Sequence, residues 1–238
     1  MKNKQTRMIV LLIVAACLVG GAIGALVYFR GSRAHHVTWE QDRFTDEKTG
    51  ITYTMCNPHA VKAVALDTDE DGDYIEYAAD KELIYYQIRF EDPTEFLCDW
   101  DKESGTGYVY RNSELPDITI ENFEPISAAM YKNSVLTLWL FADDEYLPEE
   151  ERGQNPSQDT ALVKQIADAL VTGEAVEIAN DDISDDAIYH FRLFSQKYPG
   201  LYYDVALFET KDGTRYLEDM ATFKKVLCPA DVEATVLA

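Results

Sequence analysis

Cysteine is scarce in this 238-residue chain, which has four, at positions 17, 56, 98 and 228. A chain of this length can bury a core without covalent staples, so the low cysteine content excludes a disulfide-framed scaffold. Cys17 lies inside a long apolar run. The other three, Cys56, Cys98 and Cys228, either form one disulfide and one free thiol or are all free and buried.

Positive charge is also scarce: 21 Lys and Arg stand against 43 Asp and Glu, which gives a formal net charge of −22. All the acidic residues come after residue 33. A field of this sign repels nucleic acids, anionic lipid headgroups and anionic wall polymers, so we exclude nucleic acid as a partner. It attracts divalent cations and a basic protein or peptide, although an acidic surface also serves solubility alone.

The motifs of common active sites are missing: the sequence has no GxSxG, P-loop, HExxH, CxxC pair or dinucleotide fingerprint. Cys56 and His59 place a thiol near an imidazole, and Cys228 stands late in the chain as the sortase cysteine does. No arginine follows Cys228, however, so a thiolate there would lack its stabilising cation. The sequence therefore predicts no catalytic residue.

Charged residues are absent from one long stretch, Met8 to Phe29. As a helix this run would be about 33 Å long, enough to cross a hydrocarbon core of about 30 Å. Three basic residues precede it, which favours a cytoplasmic N-terminus. The sequence predicts a cell-membrane protein with a cytoplasmic tail (residues 1–7), one transmembrane anchor (residues 8–29) and an extracytoplasmic C-terminal domain.

The fate of the anchor has alternatives. Cys17 could be read as a lipoprotein cleavage site, and residues 32–34 have the small-x-small form of a second cleavage site. Ala16, Gly20 and Gly24 lie four residues apart on one helix face, where small side chains let two helices pack closely. A homodimer through these three residues is therefore a further prediction.

Composition changes divide the rest of the chain. A polar stalk is predicted over residues 30–41, a β-rich lobe over 42–142, an acidic loop or linker over 143–157 and a lobe of helix and strands over 158–238. The two lobes are either separate or one continuous domain.

Strand patterns outnumber helix patterns and do not alternate with them, which predicts the α+β class. The expected form is an N-terminal transmembrane helix followed by a mostly antiparallel β-sheet domain with one long helix and one or two short ones. The long helix is predicted over residues 156–172, with Gly173 as its stop. A short helix is predicted to start at residues 92–95, where an aspartate cap, a proline and a glutamate have helix-start spacing.

Several strands are predicted from local patterns. Glycines 50 and 213 supply the positive φ of two hairpin turns. Residues 83–90 alternate in polarity, as in a half-buried strand, and residues 135–142 are apolar on both faces, as in a central strand. Residues 175–178 predict one more strand.

Aromatic residues are abundant, with 15 Tyr, 10 Phe and 3 Trp. The pairs Tyr85-Tyr86 and Tyr202-Tyr203 are candidates to line a groove for a peptide or a sugar. Most of the aromatics are expected in the core and on sheet faces, because β-rich domains favour them there.

The segment of residues 67–73, DTDEDGD, has the alternating carboxylates and the glycine that gather oxygen ligands around Ca²⁺. It resembles the DxDxDG loop of EF-hand proteins over these seven residues, but the acid expected at the twelfth position is missing. The alternative is an acidic hairpin turn, which needs no metal. The predicted calcium ligands are Asp67, Asp69, Asp71, Asp73 and Glu76.

The segments TDEKTGITY, YRNSELP and KYPGLYYDV resemble those of uncharacterised membrane-anchored extracytoplasmic proteins of Gram-positive bacteria. The resemblance implies location and an α+β form, and its motifs carry no catalytic residue. The leading hypothesis is a non-catalytic binding module, stabilised by calcium if the acidic segment binds it. The alternative is a cell-envelope hydrolase or transpeptidase with an unrecognised active site.

Overall fold

The computed structural model describes residues 34–101, 107–133, 135–139, 160–184 and 189–236. Of the described residues, 43% lie in strands and 14% in helices, and seven of the strands close into a barrel. The predicted α+β class is therefore wrong, since the protein is mostly β. Burial explains one part of the error: residues 96–99, which are predicted to continue a short helix, form a strand in which all four residues are buried.

The predicted anchor, residues 8–29, lies outside the described residues, as do Cys17 and the homodimer residues Ala16, Gly20 and Gly24. Among the helices that the structure describes, none is long and apolar enough to span a bilayer. The expectation of a transmembrane helix as part of the fold is accordingly not met in this part of the chain.

Fourteen strands are described, and each is named by its order in the chain. They are β1 His35–Glu40, β2 Arg43–Asp46, β3 Thr52–Met55, β4 Val61–Ala63, β5 Glu76–Ala79, β6 Ile84–Gln87, β7 Phe96–Asp99, β8 Val109–Asn112, β9 Ser127–Lys132, β10 Val135–Trp139, β11 Tyr189–Phe194, β12 Leu201–Glu209, β13 Arg215–Asp219 and β14 Lys225–Leu227.

The barrel has the strand order β1-β2-β3-β8-β7-β6-β5. All its neighbours pair antiparallel except β1 and β5, which are parallel and share only two residue pairs, His35 with Ala78 and His36 with Ala79. The segment predicted as a polar stalk, residues 30–41, therefore contains β1, which begins at His35. The barrel is closed near His35 by this short contact alone.

The barrel interior is an aromatic cluster. Phe44 stacks on Tyr85 with ring centroids 4.2 Å apart and on Tyr53 at 5.1 Å. Tyr110 meets the edges of Phe44 and Tyr85, and Trp39 covers the cluster at one end. Such offset and edge contacts suit the ring quadrupoles, so the barrel is a packed core.

A second, antiparallel sheet has the order β10-β9-β11-β12-β13-β14, with β4 paired to β12 beyond the end of β13. Its inner face and the outer face of β6, β7 and β8 share the largest apolar cluster of the protein. Strand β6 serves both cores, because Tyr85 points into the barrel and Tyr86 points into the shared cluster.

Three α-helices are described: α1 Ile120–Phe123, α2 Thr160–Thr172 and α3 Ala230–Val236. Helix α2 buries Leu162, Ile166 and Leu170, as its apolar stripe predicts, and it ends before Gly173. Residues 156–159, the predicted first turn, lie outside the described residues. Helix α3 is a short helix near the C-terminus, in line with the one or two short helices expected.

Three local predictions are wrong. Residues 92–95 form a turn, and the next four residues are β7, all of them buried. Strand β10 lies at the edge of the described sheet, not at its centre, and Val135 is 64% exposed. Residues 175–178 form no strand and are tied to β14 by one hydrogen bond, from the Val176 amide to the Lys225 carbonyl.

The turn before β12 packs against the chain that leaves the barrel after β6. A Cβ on Gly200 would lie 2.3 Å from the carbonyl oxygen of Arg89, so only glycine fits there. The Gly200 amide donates to Oε1 of Glu91 at 2.8 Å. Burial raises the pKa of Glu91 to about 7, although the Gly200 hydrogen bond opposes that rise.

We expect Glu91→Gln to make stability less dependent on pH. The folded pKa of Glu91 exceeds its unfolded value, so its stabilising contribution is complete below about pH 4.5 and is lost as pH rises towards 7. Glutamine keeps the acceptor for Gly200 and has no charge to bury. Between about pH 5 and pH 8, the free energy of unfolding measured in urea should fall less in the variant than in the wild type, by about 2 kcal/mol. The exposed control Glu114→Gln should keep the wild-type profile, and an equal profile for Glu91→Gln would refute the assignment.

Candidate functional site

Two clefts open at the same end of the barrel, where β1, β5 and β7 finish and β6 and β8 begin. We call the first the aromatic cleft. It has a volume of about 640 Å³. Its lining residues are Lys62, Glu82, Leu83, Ile84, Tyr86, Asp99, Trp100, Asp101, Gly107 and Tyr108.

The second, which we call the seam cleft, lies between β1 and the turn that joins β5 to β6. Its volume is about 500 Å³, and Glu82 and Leu83 line both clefts. Both volumes fall in the range of ordinary ligand sites. The seam cleft is lined by His36, Val37, Thr38, Trp39, Asp80, Lys81, Glu82 and Leu83.

The walls of the aromatic cleft combine exposed rings with aliphatic side chains. Tyr108 is 50% exposed, and Leu83 and Ile84 are each more than a third exposed. Trp100 is partly buried against the shared core, which holds its indole in place. Exposed apolar groups gathered in a concave surface indicate a binding site more strongly than the same groups scattered singly.

Asp99 is among the residues that line the aromatic cleft, and it is buried. Its Oδ1 accepts from the Tyr108 amide at 2.6 Å, and its Oδ2 accepts from the Tyr110 hydroxyl at 3.0 Å. Burial raises the pKa of Asp99, and these two hydrogen bonds only partly offset it. A cation that enters the cleft would therefore be stabilised by the Asp99 charge and would favour the ionised form in turn.

The side chains that frame the seam cleft are held in place. The indole of Trp39 points into the barrel, where its Nε1 donates to the Tyr85 hydroxyl at 2.9 Å. On the other side, Oδ1 of Asp80 accepts from the amides of Glu82 and Leu83 at 2.6 and 2.7 Å and fixes the turn. The cleft is therefore preformed on both sides.

Sequence reasoning found Tyr86 as a groove residue and missed the rest of the two clefts. Its partner Tyr85 is buried in the barrel. Tyr203 is buried too, with its hydroxyl donating to Asp219, and Tyr202 packs against the guanidinium of Arg192. The available signal was local: residues 99–101 place a tryptophan between two aspartates. Residues of the β5–β6 turn carried no signal, because pairing brings them to the cleft.

The acidic segment predicted to bind calcium forms a turn that is held by hydrogen bonds to the carboxylates of Asp67 and Asp69. Oδ1 of Asp69 accepts from the amides of Asp71 and Asp73, both at 3.0 Å, and Gly72 has φ +83°. Oδ1 of Asp67 accepts from the adjacent Thr68 amide. Glu76 begins β5. Among the described residues, no group of three or more His, Cys, Asp or Glu side chains is placed to hold a metal ion.

The calcium site stays a prediction, and thermal unfolding tests it. If the turn binds Ca²⁺, millimolar calcium raises the melting temperature of the wild type and not that of Asp71→Asn. Asp69→Ala serves as the control for the turn itself, since it removes two internal hydrogen bonds and lowers the melting temperature with or without calcium. If calcium does not change the melting temperature of the wild type, the turn is not a calcium site.

The three described cysteines are free and buried, which decides against the disulfide alternative. Burial raises the pKa of Cys56 and of Cys228 to about 12 each, and it also raises that of Cys98. His59 contacts the ring of Phe223. Thiols in this state are neutral near pH 7 and are poor nucleophiles.

We expect iodoacetamide to leave Cys56, Cys98 and Cys228 unmodified in the folded full chain at about pH 8 and to modify all three after denaturation. Peptide mapping by mass spectrometry reports each site separately from Cys17. A Val135→Cys variant provides an exposed thiol as the positive control. Rapid labelling of a native cysteine in the folded chain would contradict the assignment.

His190 is a structural residue in this geometry. Its Nδ1 lies 3.1 Å from Oδ1 of Asp204 on the neighbouring strand. The hydrogen bond with Asp204 raises the pKa of His190, with burial acting against it. The pair ties β11 to β12, and neither residue lines either cleft.

Comparisons with protein-family models, with curated proteins and with solved structures found no match to this chain. The function is therefore inferred from the clefts themselves.

Proposed function

We propose that this protein is a binding module that holds a basic protein or peptide at the aromatic cleft. The observation that carries the proposal is the pairing of exposed aromatic walls with carboxylates in one concave surface. Glu82, Asp99 and Asp101 contribute three acidic groups there, against one lysine, Lys62.

Both the net charge of the protein and the carboxylates within the cleft favour a basic ligand. The formal net charge of −22 draws cations towards the protein and speeds encounter. Within the cleft, Glu82 stands on the wall shared with the seam cleft, and Asp99 and Asp101 also line the aromatic cleft. Long-range attraction alone gives no specificity, so the local carboxylates must select the ligand.

The rings support a cation as well. The exposed face of Tyr108 and the anchored indole of Trp100 can each receive a lysine or arginine side chain, whose charge is attracted to the negative face of a ring. The stems of these side chains are apolar and suit the aliphatic wall at Leu83 and Ile84.

The location belongs to the proposal too: residues 8–29 hold the protein at a membrane, and the described part lies on the extracytoplasmic side. The apolar run and the basic residues before it support this placement. Strand β1 starts at His35 and rises about 20 Å along the barrel to the end that carries the clefts.

Binding of a lysine-rich peptide to the full chain at physiological salt tests the proposal. We expect Glu82→Gln to weaken binding about two- to fivefold, the usual size of one exposed ion pair. Tyr108→Ala should weaken it about three- to tenfold through lost ring contact. A glutamate-rich peptide should not bind.

Two matched variants separate the cleft from the general field. Glu114→Gln changes the net charge by the same amount outside the clefts, and Phe223→Ala removes a ring of similar exposure, 53%. Both should bind the peptide as the wild type does. Equal losses in the controls and the cleft variants would show that the field alone attracts the peptide.

One observation favours the alternative of a cell-envelope hydrolase: a carboxyl of raised pKa, Asp99, lies in a cleft with Asp101 and Glu82. Glycoside hydrolysis uses such a pair of carboxyl groups. Both oxygens of Asp99 already accept hydrogen bonds from the barrel, which suits a fixed charge better than a proton donor. Release of reducing ends from wall glycan by the wild type, and not by Asp101→Asn, would favour the hydrolase.

A further inference from the structure

We propose that the basic ligand is an extended polypeptide segment, which pairs through its main chain with the open side of β1 in the seam cleft. This inference rests on the proposed function and names the kind of ligand. It comes from the barrel closure, since β1 and β5 share only the pairs at His35 and His36. The last four residues of β1 pair with β2 alone in the described part of the chain.

The direction of the β1 backbone groups follows from its register. The Glu47 amide donates to the carbonyl of His36 at 3.0 Å, and His36 therefore directs its backbone towards β2. In an antiparallel pair this direction alternates from residue to residue. Val37 and Trp39 thus direct their amides and carbonyls to the side of β5.

Strand β5 cannot satisfy all of these groups. It ends at Ala79, and the chain turns back at residues 80–83 with a hydrogen bond from the Asp80 amide to the Leu83 carbonyl. Beyond the pair of His36 and Ala79, no strand lies beside Trp39 among the described residues. The carbonyl of Val37 and both backbone groups of Trp39 therefore face the seam cleft.

Unpaired backbone groups along a groove are what an added strand needs. Here the side chains on both sides of the groove are also held in fixed positions. The Trp39 side chain is anchored inside the barrel by its hydrogen bond to Tyr85, so its backbone can accept a strand without moving the indole. Asp80 holds the opposite wall. Such preorganisation lowers the entropic cost of binding.

The two clefts suit one continuous ligand. Glu82 and Leu83 line both, so a segment paired with β1 passes directly over them into the aromatic cleft. About six extended residues, roughly 20 Å, would occupy the path. Basic side chains of the segment then meet Glu82 and the rings, while its main chain meets β1.

Charge argues against the other occupants of an open edge. A second copy of this chain carries the same formal charge of −22, and its edge would be repelled. The acidic segment of residues 143–157 is repelled for the same reason. A basic segment from another protein is the occupant that the charges favour.

N-methylated peptides test the main-chain pairing. The probes are a six-residue peptide of alternating lysine and valine and two isomers, methylated on the amides of one or the other alternate set. Alternate amides of an extended peptide point to opposite sides, and only the side that faces β1 can form hydrogen bonds with it. We expect one isomer to bind the full chain at least about tenfold more weakly and the other to bind within about twofold of the parent.

The outcomes separate this inference from the proposed function. If both isomers bind as the parent does, or both weaken equally, main-chain pairing is overturned and the basic-ligand function stands. If neither the parent peptide nor the polyamine spermine binds, the proposed function fails as well.

Amide hydrogen exchange gives a readout that needs no substitution. The parent peptide should slow exchange of the Trp39 amide and leave the Thr38 amide, which faces β2, unchanged. Protection of Trp39 without peptide would overturn the inference. If the Trp39 amide is protected without peptide and the protection increases with protein concentration, a second copy of the chain occupies the edge. If the protection is the same at every dilution, a segment of the same chain occupies it.

Discussion

Two residue pairs between β1 and β5 close the barrel, and the shape of the end that carries the clefts follows from the shortness of that contact. Because β5 turns back at Ala79 while β1 continues to Glu40, the two strands part and leave a cleft between them. The same turn supplies Glu82 and Leu83 to a second, aromatic cleft. A longer parallel pairing would have sealed both the edge and the passage between the clefts.

The open end stays ordered because its polar groups are tied to the barrel interior. Trp39 and Tyr110 each make a hydrogen bond inside an aromatic cluster, to Tyr85 and to Asp99 respectively. Buried polar groups with partners rigidify a core, whereas unpaired ones would open it. An exposed strand edge also invites self-association. The strong acidic excess counters this, since like-charged copies repel, and the same charge favours a basic ligand.

The sequence could predict what nearby residues decide. The hairpin turns at Gly50 and Gly213, helix α2 and its end before Gly173 all match the patterns. Local signals failed where burial on both faces overrode them. The spacing at residues 92–95 predicted a helix, but the chain forms strand β7 instead. In this strand Leu97 points into the barrel, while Phe96 and Cys98 point into the shared core. Conversely, the apolar segment of β10 lies at an edge, since its position depends on partners that are distant in sequence.

By itself, the sequence determined the excess of negative charge, the apolar run of residues 8–29 and the hairpin turns at Gly50 and Gly213, because these are properties of composition and of short spacings. Only the tertiary structure decided that seven strands close into a barrel and that the closure stops after two residue pairs. It also decided that Glu82, Asp99 and Tyr108 share a cleft. Strand pairing joins residues far apart in the chain, and no local pattern records which edges meet or where a pairing ends.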